Sequence, residues 1–435
     1  MVRDRTTKDR GWTAETMQIA DGVSLVLTSF TEWLRVFGET SWDHQSFFAG
    51  TVGRRAKSLY YRNRLLGTAA VAPMIFFEAT LPSARRLFHR PVRFPIADAH
   101  YAMGFAFLYE ATGDFSHLEN AVHFLTELKK SRCRQFKEYC WGYPFDWVTR
   151  NGVLKEQTPL ITTTPYVYEA FLQVFELDPR DEWKLILESI ARHAAIDIKD
   201  FRTSETASSC SYTPFGEGGV INAAAYRAFL LTSASKVLSN DEYRRIAERN
   251  LNFVLEAQNP DGSWFYAVDG VRDFVDHYHT CFVMKALAKI HALTGHKGSE
   301  EALVKGVAYY LNNLFAEDGL PKPFSRAPRL TVYKRELYDL AECINLCLLL
   351  RDHFPILKRT LENVITHVLQ AWVKSDGSFR SRKLYIGWDN VPMHRWGQSQ
   401  MFRSLAFYLF EQSRTDAEKL LSAQFGRPHA AGFKV

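Results

Sequence analysis

The stretch DFVDHYHTCFVMKAL, Asp273–Leu287, decides the fold, because a helix pattern begins in it with carboxylate and imidazole side chains. Asp276, His279 and Val283 are spaced by three and four residues, so they share one face of the predicted helix. That face is polar where the helix begins and apolar further along. A second apolar-periodic segment near 299–314 follows the turn LTGHK, and the two segments therefore predict a helical hairpin.

Hairpins of this kind recur along the chain from about residue 95. Short links with turn residues join the helices of each pair, and loops rich in Gly, Pro and aromatic residues separate the pairs. The predicted pairs are 95–112 with 117–131, 160–177 with 181–197, 218–237 with 240–257, 274–294 with 299–314, 334–352 with 355–373, and 394–412 with 415–425. Six consecutive hairpins predict an all-α protein, a closed (α/α)6 toroid with the first helices inside and the second helices outside. An open α-solenoid is the alternative, although its repeats are more uniform in length.

The toroid is expected to span 95–425, with extra helices in a basic N-terminal extension, 1–94, packed on it and a C-terminal tail at 426–435. If the ring closes, every loop between pairs lies at the end where the inner helices begin. Long loops in a compact domain usually carry function. The sequence therefore predicts a site at that end, with Asp276 and His279 facing a central funnel.

Composition excludes several classes of protein. Hydrophobic residues make up 46% of the 435 residues and charged residues 23%, which is typical of a folded chain with a packed core. The longest apolar run, at 65–77, is too short for a bilayer span and contains Pro73, and no secretory signal is expected at 1–12. Six scattered cysteines without a CxxC pair predict reduced thiols and a cytoplasmic location.

The net charge of +6 is concentrated near the N-terminus. From Arg54 to Arg93 there are nine basic residues and one acid, Glu78. One interpretation is a solvated arginine-rich face. The other is a surface that contacts an anionic polymer, the inner membrane as a peripheral protein, or a glycosyltransferase. Nucleic acid is not an expected partner, since no recognised binding motif accompanies the charge.

The loops between hairpins combine aromatic residues with acids, amides and arginine, as a sugar-binding site requires. Sugar rings stack on indole and phenol rings, and their hydroxyls need hydrogen-bond donors and acceptors. The candidate substrate-binding residues are Trp141, Tyr143, Tyr166, Tyr212, Asn222, Trp264, Tyr338, Arg395, Trp396 and Gln398. The candidate catalytic residues are Asp146, Asp276, His279 and Asp339, with Glu217 as a further carboxylate. Cleavage of a glycosidic bond needs a carboxyl with a raised pKa and a partner carboxylate.

Each candidate also has a purely structural interpretation. Trp141 fits a core position between hairpins, and Asp276 fits a helix N-cap. His279 fits a buried, hydrogen-bonded histidine, and Asp339 fits an ion pair with arginine at the rim. His277 lies off the face that carries Asp276 and His279, and a surface position is expected for it.

Other chemistries fit the sequence less well. The motif QNPDGSW at 258–264 matches a loop of terpene-cyclase toroids. The chain has no run of adjacent aspartates to protonate or ionise an isoprenoid, so we interpret the motif as a structural turn between hairpins. A zinc site could be assembled only from His279, Cys343 and Asp339. Neither a P-loop nor a GxGxxG turn is present. No metal or other cofactor is therefore expected.

Several motifs taken together resemble those of a known family. The ordered set WGYPFDW, TPYVYEAF, SYTP…NAAAY, QNPDGSWFY, DFVDHYHTCF, YDLAEC and HRWGQSQMF, within 95–412, resembles (α/α)-toroid proteins encoded in bacterial exopolysaccharide and lipopolysaccharide biosynthesis clusters. More remotely, the chain is similar to N-acylglucosamine 2-epimerases, uronyl C5-epimerases and toroidal glycosidases. Cys281 and Ala341 stand where the family has glycine and histidine. The resemblance implies a toroid in a carbohydrate context, without an established reaction.

Two classes of function remain open from the sequence. One is a carbohydrate-active enzyme of surface polysaccharide biosynthesis that cleaves or transfers a glycosidic bond, or else epimerises a uronate or N-acylhexosamine through a base such as His279. The other is a non-catalytic polysaccharide-binding or assembly protein. For either, the expected partner is an oligosaccharide or polysaccharide, anionic or lipid-linked.

Overall fold

The computed structural model describes residues 14–425, with side chains described for 18–415. Its helices are α1 (Ala14–Phe37), α2 (Ser46–Ala49), α3 (Thr51–Arg62), α4 (Arg64–Thr80), α5 (Pro95–Thr112), α6 (Phe115–Lys130), α7 (Thr164–Leu177), α8 (Asp181–Arg192), α9 (Ile221–Val237), α10 (Asp241–Glu256), α11 (His277–Thr294), α12 (Lys297–Asn313), α13 (Leu337–Leu350), α14 (Ile356–Ala371) and α15 (Ser399–Phe425). The short strands are β1 (Trp147–Thr149), β2 (Gly152–Leu154), β3 (Asp200–Arg202), β4 (Ser208–Cys210), β5 (Val275–Asp276), β6 (Phe324–Arg326), β7 (Tyr333–Glu336), β8 (Arg382–Leu384) and β9 (Trp388–Asp389).

Six helices form a closed inner ring. In the order α5, α7, α9, α11, α13 and α15, each helix contacts the next, and α15 contacts α5. The first five of them also pack against the helix that follows in the chain, from α6 to α14. The predicted all-α (α/α)6 toroid is therefore confirmed, and the open solenoid is excluded.

The sixth hairpin differs from the prediction. Residues 399–425 form the single helix α15, and no second helix begins at 415. No glycine or proline interrupts this stretch, so the chain has no local signal that would end the helix there. Instead α1, from the N-terminal end of the chain, packs against α15 and α14.

The turns that join the helices follow from their residue types. Gly113 and Gly295 end α5 and α11 in the left-handed conformation, with φ of 72° and 68°. In the QNPDGSW loop the Oδ1 of Asp261 accepts a hydrogen bond from the Ser263 amide at 2.9 Å. Gly262 there has φ of +92°, and a Cβ on it would lie 2.4 Å from the carbonyl oxygen of Lys305. This motif is therefore a structural turn, as predicted.

All nine strands lie in the loops between hairpins or directly before an inner helix, so they gather at the loop end of the toroid. The cap layer, which we define as α2 to α4 with the 3-10 turn at Pro82–Leu87, packs there: α2 and α3 both contact β1. Within residues 14–425, no helix is long and apolar enough to cross a membrane.

Candidate functional site

A continuous belt of side chains lies at the loop end of the toroid. The aromatic belt, as we define it, consists in order of Trp396, Tyr278, His279, Tyr266, Tyr212, Trp147, Tyr143 and Arg395. Neighbouring ring centroids lie 4.4 Å apart for Tyr278 and His279, and 4.7 Å apart for His279 and Tyr266. The guanidinium of Arg395 closes the circle, 4.3 Å from the ring centre of Tyr143 and 5.2 Å from that of Trp396. Every ring of the belt is partly exposed, which is the property that a sugar-stacking surface needs.

Four helix-start or loop segments supply the predicted belt members. Tyr143, Tyr212, His279, Arg395 and Trp396 were all sequence candidates, and the structure brings them together. Sequence reasoning left out Tyr266 and Tyr278 and did not place Trp147 among the binding residues. The signal was present, because Tyr266 follows the QNPDGSW turn by two residues and Tyr278 adjoins His279.

His279 is the belt member with the clearest chemistry. Asp276 is the N-cap of α11, and its Oδ1 accepts a hydrogen bond from the His279 amide at 3.0 Å. Its Oδ2 lies 2.7 Å from the His279 Nδ1. Because Nδ1 is taken by a carboxylate, the tautomer that donates there leaves Nε2 as an acceptor. Nε2 has no hydrogen-bond partner among the described residues, and the His279 side chain is 20% exposed. Asp276 therefore both caps the helix and orients an imidazole base.

Side chains of the inner helices lie next to the belt. Phe282 and Tyr338 contact the belt, with the Tyr338 ring 4.7 Å from that of Trp396. Tyr166 lies deeper, where its hydroxyl is 2.7 Å from that of Tyr226 and accepts a hydrogen bond from Lys285. Lys285 is in turn 2.5 Å from Glu342. Tyr338 thus adjoins the belt, and Tyr166 belongs to a buried polar cluster with Tyr226, Lys285 and Glu342.

Asp339, at the start of α13, is the carboxylate beside His277. It is 1% exposed, and its Oδ1 lies 3.7 Å from the Nδ1 of His277. His277 is fully buried and its Nε2 lies 2.9 Å from the Tyr310 hydroxyl. The expectation of a surface position for His277 is therefore wrong, because α12 packs against the side of α11 that carries His277.

Two carboxyls of this region have unusual acidity. Burial, with the nearby charges of Glu336 and Asp276, raises the pKa of Asp339 well above its usual value. Burial also raises the pKa of Glu336, against the opposing charge of Arg382 at 2.5 Å. Arg382 bonds Glu78 of α4 at 2.7 Å as well. The loop end therefore carries acids that keep their protons at higher pH than usual.

Ion pairs attach the cap layer and the loop before it to the toroid. Arg85 pairs with Asp389 at 2.7 Å in a fully buried contact. Arg395 pairs with Asp43 at 2.5 Å, with both side chains buried. Asp146 pairs with Arg54 of α3, and its Oδ1 accepts a hydrogen bond from the Glu156 amide. The predicted catalytic residue Asp146 is thus engaged by the cap layer.

Three other candidates hold the fold together. Trp141 is fully buried and donates its indole N–H to the carbonyl of Leu128 at 2.8 Å, and Trp264 does the same to Val254 at 2.9 Å. Gln398 is fully buried and makes two hydrogen bonds to the backbone of Phe379. Its side-chain oxygen accepts from the Phe379 amide at 3.0 Å, and its side-chain nitrogen donates to the Phe379 carbonyl at 2.7 Å. These side chains have no free polar group to offer to a ligand.

The remaining candidates lie apart from the belt contacts. Asn222 is buried at the start of α9, and its Oδ1 has no partner among the described residues. Glu217 is exposed in the loop before α9. Among the side chains that the structure describes, no three His, Cys, Asp or Glu are grouped so as to hold a metal ion.

No protein-family model matches the chain, and no curated protein is similar to it in sequence. Solved structures are similar in fold. An unsaturated glucuronyl hydrolase specific for heparin has a TM-score of 0.61 and 11% identity over 91% of this chain and 98% of its own. A possible member of the GH105 family from Salmonella enterica serovar Paratyphi A has a TM-score of 0.59 and 13% identity over 95% and 100%. Cellobiose 2-epimerase from Bacillus thermoamylovorans has a TM-score of 0.59 and 10% identity over 74% and 88%. At such identities the comparison shows a shared toroid fold.

Proposed function

We propose that the protein is a carbohydrate-active enzyme in which the aromatic belt binds a sugar and His279 transfers a proton. One observation carries this proposal: the His279 ring is part of the belt, with Nδ1 held 2.7 Å from Asp276 and Nε2 without a partner among the described residues. An imidazole oriented by a carboxylate is the usual form of a general base. The aromatic rings beside it would stack on the apolar faces of the sugar.

The reaction that this geometry favours is epimerisation at a carbon next to a carbonyl. His279 Nε2 would take the proton from that carbon, and the electron pair would move onto the carbonyl oxygen as an enediolate. Arg395 would contribute to stabilising that negative charge electrostatically, although its buried guanidinium is also paired with Asp43. A second belt group, such as the hydroxyl of Tyr212 or Tyr143, would return a proton to the other face of the carbon. His279 would then lose its proton to solvent and the tyrosinate would regain one, so atoms and electrons balance.

Cleavage or transfer of a glycosidic bond is the second candidate. It is favoured by Asp339 and Glu336, whose raised pKa values suit a general acid. It is weakened by the engagement of the candidate carboxylates: Asp276 bonds His279, and Asp146 bonds Arg54. The solved structures with this fold include both epimerases and glycoside hydrolases, so the fold favours neither reaction.

The substrate is proposed to be a bacterial surface polysaccharide or a lipid-linked precursor of one, in the cytoplasm. The motifs shared with toroid proteins of polysaccharide clusters support this context, and the six cysteines are buried free thiols. A substrate of this kind would bring the protein close to a membrane or a glycosyltransferase.

Incubation with reducing sugars in deuterated water tests the proposal. Cellobiose, mannose, N-acetylglucosamine and uronate-ended oligosaccharides are followed by proton NMR. The expected result is loss of the signal of one carbon-bound proton, with a second epimer appearing, because the removed proton exchanges with solvent. Shortening of an oligosaccharide without deuterium at carbon would establish hydrolysis instead. Binding without either change would indicate the non-catalytic binding protein.

A further inference from the structure

The outward face of α4 is apolar and uncovered. Leu65 is 84% exposed, Leu66 58% and Phe76 63%, and Ile75 is also exposed. The buried stripe of the same helix runs through Gly67, Met74 and Glu78. Residues 65–77 contain no charged side chain, and Glu78 points inward to Arg382. Large exposed apolar surfaces of this kind mark contact sites.

Apart from Lys57, which bonds Gln45, the basic residues of the cap layer and Arg90 just after it fall into two groups. Arg54 and Arg85 point toward the toroid, where each pairs with an aspartate. A second group is exposed and has no carboxylate partner among residues 18–415; its members are Arg55, Arg62, Arg64, Arg86 and Arg90. Arg62 and Arg64 lie where α3 ends and α4 begins, directly before the apolar face. Among residues 18–415, the exposed positive charge of this layer is therefore not neutralised by a carboxylate.

We propose that this surface docks on an anionic phospholipid bilayer. Its apolar helix face would enter the boundary between headgroups and acyl chains, and the unpaired arginines would bind lipid phosphates. A second copy of the chain fits less well, because a two-fold contact through α4 would bring the same unpaired arginines face to face. The inner side of α4 bonds Arg382 beside the belt, so docking would hold the loop end of the toroid close to the lipid.

Flotation of the full chain with vesicles tests this inference, and the result does not depend on catalytic activity. Vesicles of phosphatidylcholine alone are compared with vesicles that contain one-third phosphatidylglycerol. The chain is expected to bind the anionic vesicles at least about tenfold more tightly than the neutral ones, and less tightly at high salt. The variant L65S/F76S and the variant R62E/R64E should each lose at least about tenfold in affinity for the anionic vesicles.

The matched control lies on α8, on a different side of the toroid. Leu185 is 63% exposed and adjoins the exposed Lys184, so K184E/L185S removes one apolar and one basic side chain without touching α4. Its binding should equal that of the wild type. Hydrogen exchange of the unmodified chain gives a second reading, with slower exchange in α4 when anionic vesicles are added.

Three results would overturn the inference. These are equal binding to neutral and anionic vesicles, full binding by folded L65S/F76S, and absence of protection in α4. Self-association of the wild type that L65S/F76S abolishes, without vesicle binding, would assign the face to a contact between copies.

Discussion

Two carboxylate–imidazole pairs lie at the start of α11, and they differ in every property that matters for chemistry. In the belt pair, Asp276 and His279 are 2.7 Å apart and the imidazole is partly exposed. In the buried pair, Asp339 and His277 are 3.7 Å apart and both side chains are buried. The two histidines are only two residues apart, which places them on different sides of the helix. Position on the helix surface, and not residue type, therefore separates a candidate base from a structural histidine.

The largest expected effect is on catalysis, from removal of the belt imidazole. His279→Ala should lower kcat about 10²- to 10⁴-fold, because general acid–base catalysis contributes that much. Its free energy of unfolding should fall by about 1–2 kcal/mol, because the buried Oδ2 of Asp276 loses its imidazole partner. Turnover assays and melting curves check this. Wild-type kcat in the folded variant would remove His279 from the mechanism.

His277→Ala should show the opposite pattern. The change leaves the buried Tyr310 hydroxyl without its partner and opens a cavity between α11, α12 and α13. We expect a loss of about 2–4 kcal/mol in the free energy of unfolding, measured by denaturant titration. The kcat of the remaining folded protein should change less than that of His279→Ala. A stable His277→Ala that is inactive would reverse the comparison.

Asp276→Asn distinguishes the two roles of Asp276, as the N-cap of α11 and as the group that orients the His279 imidazole. Asparagine still caps a helix, so stability should change little. Loss of the charged partner of Nδ1 should lower kcat by up to about 10⁴-fold, the loss found when asparagine replaces the aspartate of a Ser-His-Asp triad. Turnover and melting temperature are measured on the same preparation, and an unchanged kcat would show that the Asp276 charge does not act through His279.

Substitutions of a belt tryptophan and of a core tryptophan should also change different quantities, KM in the first case and stability in the second. Trp396→Ala removes a belt ring and should raise KM about 3- to 10-fold, with a small change in kcat. Trp264→Phe loses the indole hydrogen bond to Val254 and should lower stability by about 1 kcal/mol, with KM unchanged. An unchanged KM for Trp396→Ala would exclude that ring from the binding surface.

The smallest effect concerns Asp339 and the pH dependence of stability. Its pKa is raised in the folded protein, so the folded state keeps a proton that the unfolded chain loses above about pH 4. Stability should therefore fall as the pH rises from that value toward the folded pKa. Asp339→Asn removes this dependence, and it should melt about 1–3 °C higher than the wild type at pH 8. The difference in melting temperature should vanish near pH 4. If the wild type instead gains stability relative to the variant between pH 4 and pH 8, the raised pKa of Asp339 is wrong.

Much of the fold could be predicted from local sequence. Five hairpins follow from apolar periodicity and from turns such as those at Gly113 and Gly295. The sixth could not, because the packing of α1 against α15 joins segments nearly the whole chain apart and leaves no local signal. The same limit applies to the cap layer, whose contacts with Asp389 and Arg382 depend on tertiary structure alone.

The candidate site could be predicted only in part. Loop aromatics and the Asp276–His279 spacing are visible in the sequence, and they led to five of the eight belt residues. Trp141 and Trp264 also lie in aromatic-rich loops, yet each indole donates a hydrogen bond to a backbone carbonyl of the preceding outer helix. Residue type does not distinguish the two cases, because the direction in which a loop side chain points is set by the closed ring.

A crystal structure of the protein with a bound sugar tests the central claim most directly, with a reducing disaccharide or the product of the exchange experiment as ligand. Our account predicts a sugar ring stacked on Trp396 or Tyr143, with a carbon-bound hydrogen within about 3.5 Å of the His279 Nε2. A sugar bound outside the belt, or with its reacting carbon turned away from His279, would contradict it.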